Sequence, residues 1–234
     1  MNRKLKFASV AVAAALMAGC AGSGTSPASS TGGNVSAADF SGFLADYSKL
    51  KPVDGIDGTL RYVDTSMNLR PYKKVIIDPV LVFMTHNPEY HGLQPDALKR
   101  MSDALETAFL SALVDGYQVV NAPGPDVMRL RLAITGVQAV KPPLGASDLI
   151  PIKAVFNVAR SAAGDAPMVA EISAEMEMLD SNGRVIGAAV ASRKGDKALP
   201  QGASITWQDL QASANFWAKN LRNYLDYARG YAKN

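Results

Sequence analysis

The chain has 234 residues, a single cysteine and a formal net charge of +3. One cysteine excludes an internal disulfide framework and a multi-thiolate metal cluster. The positive charge belongs to the N-terminus: without Arg3, Lys4 and Lys6, 21 basic groups face 21 acidic ones. Such a remainder lacks the excess of cations that nucleic-acid binding uses to displace counterions, so no nucleic-acid partner is expected.

Taken in order, the chain opens on those three cations, then an apolar stretch from Phe7 to Ala18, then Met17-Ala18-Gly19-Cys20. This is the order of a secretory signal. The apolar stretch falls well short of the roughly 20 residues that cross a bilayer. Met17 to Cys20 resembles the lipobox of bacterial lipoproteins, in which the cysteine becomes the lipid-bearing first residue. The resemblance implies a signal peptide over residues 1–19 and lipidation, of the palmitate type, at Cys20. Several acyl chains, at about 0.8 kcal/mol per buried CH₂, make such an anchor effectively permanent. In enteric-type sorting an Asp after the cysteine retains a lipoprotein in the inner membrane. Ala21 stands there, which implies the outer membrane and its periplasmic face.

Residues 20–35 comprise the lipidated N-terminus and an uncharged Gly- and Ser-rich linker, too poor in apolar bulk to offset its ordering entropy. Its root-mean-square reach is roughly 20 Å, so the domain stays near the membrane. Residues 36–234 are expected to form one domain. Ser36 to Asp39 has the form of a capping box with Asp in place of Glu, and Phe40, Phe43, Leu44 and Tyr47 follow at helical spacing. A helix over residues 37 to about 49 is predicted, stopped by Lys51-Pro52. A loop over 52–59 leads to a short strand at Leu60 to Val63.

Tyr72 to Met84 is a strand apolar on both faces, buried on both or lending one to a partner. Pro79 forces a bulge or an edge position. After a polar loop, Pro95 opens a helix with the stripe Leu98, Met101, Leu105, Phe109 and Ala112, closed at Asp115-Gly116. Tyr117 to Asn121 completes a β-α-β unit. Pro123-Gly124-Pro125 is a rigid turn, and from Met128 to Thr135 apolar and polar residues alternate. Ile152 to Val158 reads as another strand. Met168 to Met178 alternates with Glu171, Ser173, Glu175 and Glu177, turns at Asp180 to Gly183 and returns through Arg184 to Ala191. Gly187, Ala188 and Ala189 leave the returning strand poor in bulk, so a neighbour is expected to pack closely over it. From Thr206 a long helix carries Leu210, Ala214, Trp217, Leu221, Tyr224, Leu225 and Ala228 on one face, with Lys219, Arg222 and Arg229 off it. The expected fold is α+β: a mostly antiparallel sheet with one β-α-β unit and two main helices on one face.

Three stretches together, Phe43 to Leu50, Tyr72 to Val80, and Ala122 to Pro125 leading into Arg129 to Thr135, resemble the proteobacterial lipoproteins grouped as domain of unknown function 3313. The resemblance implies a single-domain lipoprotein without assigned activity and brings no catalytic residues. The hairpin at Asp180 to Arg184 also resembles those of periplasmic α+β lipoprotein domains that assist secretion, transport or envelope machines.

Two constellations bear on chemistry. His86, Glu89 and His91 share one loop and could hold Zn²⁺ with an open position; Pro88 and the ordinary polarity of a strand-to-helix loop favour a plain loop. Glu175 and Glu177 project from one strand face roughly 7 Å apart, the separation of an inverting carboxylate pair. The plainer reading is a solvated sheet face, with Glu171 paired to Arg129 or Arg131. Asp78-Pro79 and Pro123-Gly124-Pro125 are candidates for the rim of a binding surface. There is no nucleophile elbow, Ser204 included, and no phosphate loop, and no cofactor is called for. The favoured reading is a lipid-anchored lipoprotein that binds an envelope protein partner or a second copy of itself. The alternative is a periplasmic hydrolase using surface carboxylates or the His86 loop.

Overall fold

Strands β1 (Lys51–Val53), β2 (Ile56–Val63), β3 (Lys74–Ile77), β4 (Leu81–Val82), β5 (Gln118–Val119), β6 (Val127–Val140), β7 (Met168–Leu179) and β8 (Val185–Leu199) form one sheet. Two helices, α1 (Pro95–Leu113) and α2 (Trp207–Ala228), cover one of its faces. The structure, a computed structural model, describes residues 35–83, 95–141, 168–200 and 203–230. The signal and lipobox, most of the linker, the His86–Glu89–His91 loop and the strand expected at Ile152 to Val158 lie outside these residues.

Strand order is β1-β2-β8-β7-β6-β3-β5, with β4 also on β6. The sheet is mixed, and the expectation of a mostly antiparallel one is corrected. From β6 through β7, β8 and β2 to β1 every pairing is antiparallel, whereas β3 and β4 on β6, and β5 on β3, are parallel. The cause lies in two connections. Helix α1 returns the chain so that β5 runs parallel to β3, as the β-α-β reading expects. Strand β5 is so short that the Pro123-Gly124-Pro125 turn then carries the chain back past the start of β3 and into β6 in the same direction. The Asp126 carbonyl accepts from the amides of Lys73 and Lys74 there.

Pro79 splits one strand into β3 and β4. Ile77 pairs with Leu130 and Leu81 with Ala133, so this side carries one residue more than β6 across the break. A prolyl nitrogen cannot join a ladder, and a bulge at an edge accommodates it. Asp78, at the break, pairs with Arg129 at 2.8 Å.

The helix-side core is made by period. Met101, Leu105 and Phe109 of α1 and Leu210, Ala214, Leu221 and Leu225 of α2 meet Met128, Leu130, Leu132 and Ile134 of β6 and Ile172 and Met178 of β7. Thr206 and Asp209 cap α2: the Thr206 amide and hydroxyl both donate to Asp209 Oδ2, at 2.8 and 2.7 Å. Arg222 and Arg229, expected off the buried face, reach the end of α1. Arg222 Nη1 donates to the Ala112 carbonyl at 3.0 Å and Arg229 Nη1 to the Gly116 carbonyl at 3.4 Å. These guanidinium groups satisfy carbonyls near the negative end of α1.

The other face is covered by the segment Ser36 to Leu50, hereafter the strap. The helix expected over residues 37–49 shrinks to a 3₁₀ turn at Ala37–Asp39, held as read by Ser36 and Asp39. Beyond it, backbone donors find side chains in place of helical carbonyls. The Phe43 amide donates to Ser41 Oγ, the Gly42 and Leu44 amides to Tyr47 Oη, and the Ser48 amide to Asp46 Oδ1. Gly42 sits at φ 90°, a left-handed conformation that breaks the helix and suits glycine. Phe43 and Leu44 still bury their side chains, against Ala133, Ala188 and Val190.

Candidate functional site

Glu175 and Glu177 sit beneath the strap and are not on a solvated face; their exposures are 0% and 1%. The Ser41 amide donates to Glu175 Oε1 at 2.8 Å, and Tyr47 Oη donates to Glu175 Oε2 at 2.6 Å. The Ala45 amide donates to Glu177 Oε1 at 2.7 Å, and Arg131 Nη1 pairs with Glu177 Oε2. Every carboxylate oxygen of the pair is therefore engaged. Burial, followed by the hydrogen bond to Glu175, pushes the Tyr47 phenol above its ordinary range. Glu171 pairs with neither Arg129 nor Arg131, because Gln138 and Ser192 take its oxygens. The surface-carboxylate arm of the hydrolase reading is thereby corrected: these oxygens accept from the protein's own backbone and side chains, with the strap where an attacking water and a substrate would stand. They work as staples. Among the described residues no three His, Cys, Asp or Glu side chains are placed to hold a metal ion.

A cleft of about 100 Å³ opens on the opposite, helix-bearing face. Helix α2 lies close on β8 at its N-terminal turn, where a Cβ on Gly195 would come within 2.8 Å of the Asp209 carbonyl oxygen. Farther along, Trp217, Leu221 and Tyr224 stand over Gly187, Ala189 and Ala191 of β8, whose bare or one-carbon side chains leave the gap unfilled. The expectation of close packing over this strand divides by face. Ala188 is covered by the strap cluster and Gly187 is met by Met178, whose methyl would stand 3.2 Å from a Cβ there, while Ala189 floors the open part of the cleft.

Depth and polarity change together along the cleft. Leu105, Leu132 and Phe109 close the inner end and are 0%, 2% and 3% exposed. Arg61 on β2 stands exposed at the mouth, with its guanidinium carbon 5.4 Å from the Tyr224 ring centroid. Burial raises the Tyr224 phenol, and the Arg61 charge partly offsets that. Lys51 of β1 is the direct cross-strand partner of Arg61 and so shares its face. Among the described residues neither cation forms an ion pair. Sequence reasoning read Tyr224 only as part of the buried face of the last helix and Lys51 only as part of a helix stop, and it did not single out Arg61. The signal available was the absence of bulk at Gly187 to Ala189, but which strand lies beside it is a matter of pairing.

The two other sequence candidates have structural work. Asp78 is neutralised by Arg129, and the Gly124 carbonyl accepts the Val127 amide to close the turn into β6.

The model of the DUF3313 family, described as a protein of unknown function, matches residues 39–221. The chain belongs to this family. The DUF3313 match takes in the strap from Asp39, with its bonds to Glu175 and Glu177, the described sheet, and α2 as far as Leu221. The chain is 28% identical over 183 residues to the uncharacterized lipoprotein YdcL of Escherichia coli K12, covering 76% of this chain and 78% of that protein. Among solved structures, a PelC dodecamer from Paraburkholderia phytofirmans matches at TM-score 0.35 and 13% identity, covering 75% of this chain and 98% of the other. Protein XCC0632 from Xanthomonas campestris, of the DUF330 family, matches at TM-score 0.37 and 13% identity, covering 66% and 84%. Likenesses this distant carry no inference about ligand or assembly.

Proposed function

We propose that this DUF3313 chain is a lipoprotein held to the outer membrane through Cys20, facing the periplasm, whose domain over residues 36–234 binds an envelope component. The observation that carries the binding role is the cleft: a concave apolar site, closed at depth, with Arg61 at its mouth and Lys51 its cross-strand neighbour. Ligand sites have this make-up, an apolar lining with a few placed polar groups. The name of the Escherichia coli relative supports the lipid anchor, as does the Met17 to Cys20 pattern. No helix among the described residues is long and apolar enough to cross a membrane.

Two experiments test the reading. Cys20→Ser is expected to leave the domain folded and move it from the membrane to the soluble fraction, with loss of labelled-palmitate incorporation. Retention of the variant in the membrane fraction would reject the anchor. A photo-reactive residue at Thr59 or Asn220, both in the cleft wall, should capture a defined envelope component or a second copy in intact cells. Capture of nothing at either position, with efficient labelling elsewhere on the surface, would reject the binding role.

A further inference from the structure

We infer that the cleft takes an amphiphile with one alkyl chain and a carboxylate head, of the fatty-acid class. The chain lies on the Gly187–Ala189–Ala191 floor beneath α2, and the carboxylate meets Arg61 and Lys51. This rests on the domain being a binding module and names the chemistry of what it binds.

Size selects the apolar part. At about 100 Å³ the space is smaller than the ~150 Å³ cavity that accepts a benzene ring, so it takes a few methylenes of a slender chain, end first, with the rest of the chain running out along the cleft, and does not take a ring system. The lining selects it too. Leu105, Phe109 and Leu132 at the inner end offer no hydrogen bond to a buried polar atom, and an unpaired one there would cost its desolvation. Each methylene that enters contributes about 0.8 kcal/mol.

Charge selects the head. Arg61 and Lys51 face each other across the β1–β2 ladder, and like charges directly opposite destabilise a strand pair. The nearby hairpin acids, Asp54 and Asp57, pair with neither cation. The Tyr224 ring flanks the Arg61 guanidinium at the cleft mouth, where a planar carboxylate can be met by a fork of donors. An anion there relieves the repulsion, and a cationic or neutral head does not.

The experiment uses the chain carrying Cys20→Ser, so that neither its own lipid nor detergent competes. Parinaric acid, a slender fluorescent fatty acid, is the probe. Its emission should rise on binding. Decanoate should displace it, decanol should do so about tenfold less well, and decyltrimethylammonium less well still. The paired change Lys51→Gln with Arg61→Gln, both at exposed sites, should weaken decanoate about tenfold and leave decanol unchanged. Ala189→Leu should close the cleft and abolish both, with unfolding excluded by its far-ultraviolet spectrum and melt. No rise in emission, or equal displacement by the three competitors, would overturn the inference. So would an unchanged affinity in the double variant. If in addition the Thr59 or Asn220 position still captures an envelope protein in cells, only the fatty-acid inference falls. If capture fails too, the binding role falls with it.

Discussion

Tyr47 does the work of three groups at once. Its ring stacks on Phe40 at 4.3 Å between centroids, its hydroxyl accepts from two strap amides, and the same hydroxyl donates to Glu175. Removing that oxygen strands a buried carboxylate atom and the Leu44 amide, while water can reach the exposed Gly42 amide, so Tyr47→Phe is expected to cost about 2 kcal/mol in a urea titration. Glu175→Ala should cost about 3 kcal/mol, because Tyr47 Oη and the Ser41 amide both lose their acceptor. The double variant should cost clearly less than the sum, since one network is broken twice. The phenol also sets an alkaline limit. Its folded pKa lies above the ordinary tyrosine value of 10.0, so the folded state keeps a proton that the unfolded chain releases. That contribution is complete below about pH 10 and is lost as pH rises through the folded value. Wild type should therefore lose stability above about pH 10 more steeply than Tyr47→Phe, as equilibrium unfolding followed against pH will register.

At the scale of elements, local signals were readable and distant ones were not. The α1 stripe, the Ser36–Asp39 capping box and the Asp180 to Gly183 turn depend on residues a few places apart, and all three form as the spacing predicts. The strap illustrates the opposite case. Phe40, Phe43, Leu44 and Tyr47 have helical spacing, yet Glu175 lies 128 residues from Tyr47 and outcompetes the helix for its backbone donors. Nothing local announces such a partner. The parallel half of the sheet was hidden for a similar reason: alternation in β6 tells which residues face the core and not which way a neighbour runs. The candidate cleft was half visible, as a floor without bulk whose walls and cations come from β1, β2 and both helices. How closely α2 sits on that floor hinges on Gly195. Gly195→Ala places a carbon against the Asp209 carbonyl, which belongs to backbone and must move with its helix. A loss of about 1–3 kcal/mol is expected, measured by thermal melting, because overpacking at a backbone contact has no flexible side chain to absorb it.

Across the whole molecule, the two faces of the sheet are held by different forces. The helix side rests on a large apolar cluster, whereas the strap side rests on a small one, reinforced by buried carboxylates. Stability is not uniform under such an arrangement, and the strap should open as a unit before the sheet does. Hydrogen exchange should show the amides of Ser41 and Ala45 exchanging together, faster than those at the centre of β6 and β7; equal protection throughout would mean that strap and sheet open only by global unfolding. The position of the staples has a mechanical meaning as well. The strap is where the described fold begins, so tension arriving along the preceding chain loads the bonds to Glu175 and Glu177 before it reaches any strand. They bear that load one after another, as a seam does. The first element to yield to a pull would peel away from the sheet and leave its hydrogen-bonded ladder intact.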